Sequence, residues 1–204
     1  MPKKVIIIGA GGHAKVIAEI IKKSNDELVG FLDDNEEMQG QEIYLGAKVI
    51  GKVCDAQNWP DCEFIIGIGN NSTRKRIAEK YQLPWYTAIH PNSVVATDVK
   101  IGEGTVVMPG VVINPGTEIG THCIINTSCS IDHDNKIGNF VHISPGAHLA
   151  GTITIGTQTW ICAGATIINN LNIAPNNIIG AGAVVVKNIE TEDGVYIGVP
   201  AKRQ

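Results

Sequence analysis

Asp132-His133-Asp134 sets an imidazole between two carboxylates, close behind Asn126-Thr127-Ser128. Flanking carboxylates raise the pKa of an imidazole and poise it as a general base near neutral pH. Read as a metal site, the triplet fails on spacing, because neighbours on an extended strand point to opposite faces and cannot converge on one ion. A second chemical element is rich in glycine: Gly9-Ala10-Gly11-Gly12-His13 follows the apolar run Val5 to Ile8 and precedes a helical pattern. Free N–H groups at such a helix start bind phosphate, and glycines let the phosphate approach closely. Asp33-Asp34 then falls where an acidic residue meets a ribose hydroxyl in dinucleotide-binding folds. The five cysteines, Cys54, Cys62, Cys123, Cys129 and Cys162, contain no C-x-x-C pair and read as small buried hydrophobes.

Two different elements must carry these residues. Stepping by six from Ile89 reaches Val95, Ile101 and so on to Ile173 and Ile179, and all sixteen positions are aliphatic, with no insertion. The position four further on is mostly small or β-branched, as at Thr105, Val111, Thr117, Cys123 and Val141. The position after the aliphatic is often glycine, as at Gly102, Gly120, Gly138, Gly156 and Gly180. A period of six fits a short strand and a corner, repeated, with the glycines expected to supply the turn conformation. Three hexads make one triangular coil of 18 residues, so the run predicts a parallel β-helix of about 5.3 coils rising about 4.8 Å each, roughly 25 Å in all. His133 lies inside this ladder. Cys123 and Cys129 occupy its small inward position, which disfavours a thiol relay. His90 and His122 read as solvated corners, and His148 as a residue with no cluster around it.

Residues 1–88 predict a small α/β unit: strands at 4–8, 28–32, 64–68 and 84–88, with helices at about 14–23 and 73–80. This stretch holds 11 Lys+Arg and 12 Asp+Glu, against 5 and 8 in residues 89–204, which places a boundary at residue 88. The glycine pattern invites an NAD-dependent oxidoreductase. Under 90 residues is about half a dinucleotide domain, however, and nothing that follows resembles a dehydrogenase's catalytic domain, so a smaller nucleotide ligand fits better. The α/β unit and the acidic-histidine cluster also speak against a passive β-solenoid scaffold. A net charge of −4 without a run of like charge excludes a nucleic-acid tracker. The longest apolar run is too short for a membrane span or a signal peptide, so a cytoplasmic protein without membrane insertion is expected.

The glycine turn with His13, Asp33-Asp34, Gly67-Ile68-Gly69-Asn70-Asn71, the hexads, Asn126-Thr127-Ser128 with Asp132-His133-Asp134, and the terminal Gly198-Val199-Pro200-Ala201-Lys202 resemble one family over nearly the whole chain. It is that of the bacterial hexapeptide-repeat sugar acyltransferases: the acetyl-CoA-dependent N-acetyltransferases of UDP-4-amino-4,6-dideoxy sugars and their sialic acid O-acetyltransferase relatives. The resemblance implies a Rossmann-like N-terminal module followed by a left-handed parallel β-helix, assembled as a homotrimer with active sites at subunit interfaces, and a role in surface-glycan synthesis. It implies His133 as catalytic base with Asp134 as its acidic neighbour. It further implies His142, Gly151, Ala163 and Ala181 as acetyl-CoA contacts, and Gly11, Gly12, His13, Asp33, Asp34 and Gly69 as the nucleotide-sugar site, with no metal. N-acetylation of a 4-amino sugar is the expected reaction, and O-acetylation of sialic acid or another sugar the alternative.

Overall fold

The computed structural model describes residues 2–204, in two compact units that divide between Pro91 and Asn92, three residues beyond the expected boundary. In the first, β1 (Lys4–Ile8), β2 (Glu27–Leu32), β3 (Glu42–Tyr44), β4 (Ala47–Gly51) and β5 (Glu63–Ile66) form one sheet in the order β3-β4-β2-β1-β5. All pairs are parallel except the β3–β4 hairpin. Val5 to Ile8 are fully buried, as a parallel strand covered on both faces requires. α1 (Gly12–Lys23) buries Ala14, Ile17, Ala18, Ile20 and Ile21, the three-and-four spacing of one helical face. It starts two residues earlier than expected, at an N-cap, Gly11, that makes no side-chain capping bond. α2 (Asn71–Lys80) is capped by Asn70 Oδ1, which accepts from the Thr73 N–H at 2.9 Å. Gly67 ends β5 early: a Cβ there would lie 2.7 Å from Ile7 Cγ2 and 2.8 Å from Ala14 Cβ, so its lack of a side chain lets α1 pack on the sheet. The strand expected at 84–88 reduces to a single bridge, Trp85 to Phe64, with a two-residue strand at Ala88–Ile89. The β3–β4 hairpin has no counterpart in the periodicity, because its apolar runs are too short.

The second unit is a parallel β-helix. Two-residue strands recur every six residues and each pairs with the strand 18 residues on, as at Val112–Ile113 with Ser130–Ile131. The first face runs from Val94–Val95 to Val184–Val185, the second from Lys100–Ile101 to Asn172–Ile173. The third, within this unit, runs from Val106–Val107 to Ile178–Ile179 and closes with Val195–Ile197 and the antiparallel Lys202–Arg203. The second residue of each pair points inward, and from Val107 to Val185 these residues are buried in one continuous core. The ladder therefore reaches one hexad beyond Ile179. At its other end Ala88–Ile89 is the last strand of the third sheet's order, and Ile89 is 40% exposed.

The corners differ from expectation in an informative way. Every sixth residue from Gly104 to Gly182 has φ between 51° and 75°, and only six of these fourteen are glycine. The others include His122, Ser128, Asp134 and Asn170. Left-handed backbone at a non-glycine residue costs roughly 1–2 kcal/mol, offset here by the ladder bonds on either side. The glycines that directly follow the aliphatics, such as Gly102, serve another purpose: a Cβ on Gly102 would lie 2.6 Å from the Gly120 carbonyl carbon, so they permit close backbone stacking between coils.

Candidate active site

His133 and Asp134 form the turn between the first and second faces, directly after Ser130–Ile131. Asp134 occupies the left-handed corner position, with φ of 58°. This turns its carboxylate back onto its neighbour, so that His133 Nδ1 and Asp134 Oδ2 lie 2.8 Å apart. The expectation that adjacent side chains here diverge is thus wrong, since it holds for a strand and these residues form a corner. Both side chains are more than half exposed. The hydrogen bond to Asp134 raises the His133 pKa above its ordinary value, and the charge of Asp132 adds to the effect. Asp132 acts on the backbone: its Oδ1 accepts from the His133 N–H at 2.9 Å and from Asn114 Nδ2 at 2.8 Å, and these bonds hold its own pKa below the usual carboxylate range. Asp134, and not Asp132, therefore holds the ring.

One coil further on, Gly151 lies under the imidazole. A Cβ there would stand 2.5 Å from His133 Cε1 and 2.6 Å from Nε2. The absent side chain is what gives the ring its place, and the structure brings Gly151 together with the His133 pair. His142 is elsewhere: it lies on the third face, stacked on Trp160 at 5.7 Å between ring centroids, with Nε2 3.2 Å from Asn126 Nδ2. Trp160 Nε1 donates to Ser144 Oγ at 2.8 Å. Ala163 and Ala181 are exposed at the corner after that face, 18 residues apart on successive coils. In a triangular coil the corner carrying His133 is opposite the third face, so one chain does not unite His133 with His142.

The remaining histidines correct the sequence reading. His90 and His122 are 6% and 4% exposed, not solvated, and His122 stacks on Phe140. His148 has a neighbour: its Nδ1 lies 2.8 Å from Ser130 Oγ, in an open groove of about 380 Å³ that also includes Asp132 and Asn114. Cys62, Cys123 and Cys129 are buried as expected, whereas Cys54 is exposed and Cys162 half-buried, and burial pushes the Cys129 thiol up to about 12.

In the first unit a groove of about 390 Å³ opens at the carboxyl ends of β1 and β2, lined by Gly9, Asp33, Asp34, Ile68, Arg76 and Lys80 among others. Gly11, Gly12, His13 and Gly69 lie outside that lining. Added Cβ atoms at the three glycines would meet nothing within 4 Å, so the space on the side-chain side of each is open. Asp33 spends both oxygens on the chain, accepting from the Ala10 and Asn35 N–H groups at 2.9 Å each, and Asp34 accepts from the Val53 N–H at 2.9 Å. Asp33 thus fixes the glycine turn and Asp34 the backbone at Val53, while both line the groove. His13 is driven neutral: burial and the Arg74 guanidinium push its pKa down to about 4. Arg74, which no motif singled out, is 1% exposed and donates to the Gly69 carbonyl at 2.9 Å and to Asn71 Oδ1 at 2.8 Å, pinning the loop before α2. Its signal in the sequence was weak, an arginine among charged helix residues. No group of three or more His, Cys, Asp or Glu suited to a metal occurs among the described residues.

Comparison with known proteins bears on both units. Residues 4–81 match the family described as the PglD N-terminal domain, and residues 86–115 and 98–133 match the bacterial transferase hexapeptide family. The chain is 42% identical over 113 residues to a UDP-N-acetylbacillosamine N-acetyltransferase of Bacillus subtilis, a match that spans 52% of this chain and about half, 51%, of that relative. It is 31% identical over 164 residues to a GDP-perosamine N-acetyltransferase of Escherichia coli O157:H7, spanning 72% of this chain and 70% of the relative. Among solved structures, the acetyltransferase domain of PglB from Neisseria gonorrhoeae superposes with a TM-score of 0.92 at 35% identity, covering 99% of this chain and 100% of that one. A mutant perosamine N-acetyltransferase from Caulobacter crescentus, in complex with CoA and GDP-perosamine, gives 0.92 at 33% identity, covering 98% and 96%.

Proposed function

The chain belongs to the hexapeptide-repeat sugar N-acetyltransferases with a PglD-type N-terminal domain, and from that premise we infer that it transfers acetyl from acetyl-CoA to the 4-amino group of a nucleotide-linked 4-amino-4,6-dideoxy sugar. The observation that carries the reading is the 2.8 Å contact between His133 Nδ1 and Asp134. With Nδ1–H donated to a carboxylate, the neutral ring presents Nε2 as the basic nitrogen. An amine attacks a thioester only through its free lone pair, so Nε2 takes the amine's proton as the new C–N bond forms. The resulting imidazolium, stabilised by Asp134, then returns that proton to the departing thiolate. No covalent intermediate on the protein is needed.

The groove beside Asp33 and Asp34, with the start of α1 left without a side-chain capping bond, supports a nucleotide diphosphate in the first unit. UDP is the proposed nucleotide, in line with the higher identity to the bacillosamine relative. The opposition of His133 and His142 supports a homotrimer whose sites form between neighbours, with His133 from one copy facing His142, Ala163 and Ala181 of the next. Thiol release from acetyl-CoA, measured across UDP- and GDP-linked 4-amino sugars and free sialic acid, tests the assignment. The UDP-4-amino sugar is expected to react fastest, and turnover of sialic acid alone would contradict the N-acetyl reading.

A further inference from the structure

From Ile101 to Ile179, the inward position four residues after the ladder aliphatic holds Thr105, Val111, Thr117, Cys123, Cys129, Val141, Ala147, Ile153, Thr159, Ala165, Leu171 and Ala183. Asparagine interrupts it twice, at Asn135 and Asn177, both fully buried. Where the position holds threonine, the hydroxyl donates to a carbonyl 15 residues on: Thr105 to Gly120 at 2.9 Å, Thr117 to Asp132 at 2.9 Å and Thr159 to Ala174 at 3.2 Å. Asn135 makes the equivalent bond, to the Ala150 carbonyl at 3.0 Å, and its Oδ1 accepts from the Ile153 N–H at 3.0 Å. Its longer side chain does one thing more. Nδ2 reaches back to the carbonyls of Asp132 at 2.6 Å and His133 at 3.3 Å, inside the corner that carries the imidazole.

Asn177 repeats the pattern, on the carbonyls of Ala174 and Pro175. There it has a structural purpose, because its Oδ1 accepts from Gly194 and its Nδ2 donates to the Thr191 carbonyl, where the regular hexads have ended. Asn135 stands mid-ladder, with regular coils on both sides. A buried amide costs free energy that an aliphatic residue at the same place does not. We propose that Asn135 is a positioning residue for the acetyl transfer: from inside the β-helix it clamps the Asp132-His133 backbone, and so sets the angle at which His133 meets Asp134 and the substrate amine. This rests on His133 being the general base.

Asn135→Thr separates the clamp from the fold, because threonine keeps the bond to the next coil, as it does at 105, 117 and 159, and loses the reach to the His133 carbonyl. Asn177→Thr makes the same change away from the chemistry. Steady-state thiol release with acetyl-CoA and a UDP-4-amino sugar, the pH profile and the melting temperature would be measured for both, beside His133→Ala. Asn135→Thr is expected to lower kcat about tenfold, the scale of a small misplacement of a reacting group, with KM for both substrates within about twofold. The acid limb of its profile should move toward lower pH as the Asp134 contact loosens. The titratable groups facing His133 within its own chain are Asp134 and Asp132, and the next coil presents Gly151 beneath the ring; His142 of the next copy, which faces it in the proposed trimer, is the same in every protein compared. Asn177→Thr should leave kcat and the profile unchanged. Should Asn135→Thr fail to fold, Asn135→Cys, a residue the same position already holds at 123 and 129, is judged by the same criteria. Unchanged kcat and pH profile in the position-135 variant, with His133→Ala inactive, would overturn the clamp and leave the base intact. A fully active His133→Ala would overturn the base itself.

Discussion

The charge-assisted contact between His133 and Asp134 decides how the reaction responds to pH. Asp134 stabilises the imidazolium and raises its pKa, so the fraction of free base, and with it kcat/KM, falls as pH drops through that raised value. Asp134→Asn removes the negative partner, which lowers the imidazole pKa. The acid limb should then shift to lower pH while the plateau falls about tenfold through loss of ring orientation, and an initial-rate pH profile of the two proteins checks both. A limb that stays in place would show that Asp134 does not face the titrating group. Residue types alone made both side chains legible as acid–base candidates. Their contact was not legible, because it depends on the left-handed backbone at Asp134, a conformation that the aspartate side chain does not announce. Gly11 and Gly12 were legible as positions of close approach, whereas the structural work of Asp33 and Asp34 on the glycine turn and on Val53 needed the fold.

Among the elements, the ladder was readable because its inward aliphatics repeat without a slip, and the coil period of 18 follows from three hexads per turn. The corner chemistry was misread. Glycines after the aliphatics suggested the turn position, yet the left-handed residue lies two places further on, and packing of coil upon coil holds it there whatever its side chain. That stacking also explains Gly151, which resemblance links to the coenzyme and which the coil geometry puts beneath His133. Gly151→Ala should lower kcat about a hundredfold, the scale of roughly 1 Å of displacement of a reacting group. Circular dichroism and the melting temperature should remain close to the parent, since the ring can swing toward solvent. Wild-type kcat in Gly151→Ala would mean that the observed ring position is not the working one.

For the whole molecule, a corner and the face opposite it lie apart within one triangular coil, and the proposed site therefore draws on a second copy. Mixing His133→Ala with His142→Ala chains after joint unfolding and refolding should restore activity above either variant alone, toward about one quarter of wild type for random assembly of sites drawn from two neighbours. No restoration would place the whole site on one chain. His133 carries the proposed reaction. Rates of thiol release from acetyl-CoA with a UDP-4-amino sugar, at saturating substrates and matched pH, should fall by at least about 10²-fold in His133→Ala, the scale of lost general-base catalysis, with binding of both substrates retained. A rate within a few-fold of wild type would contradict it.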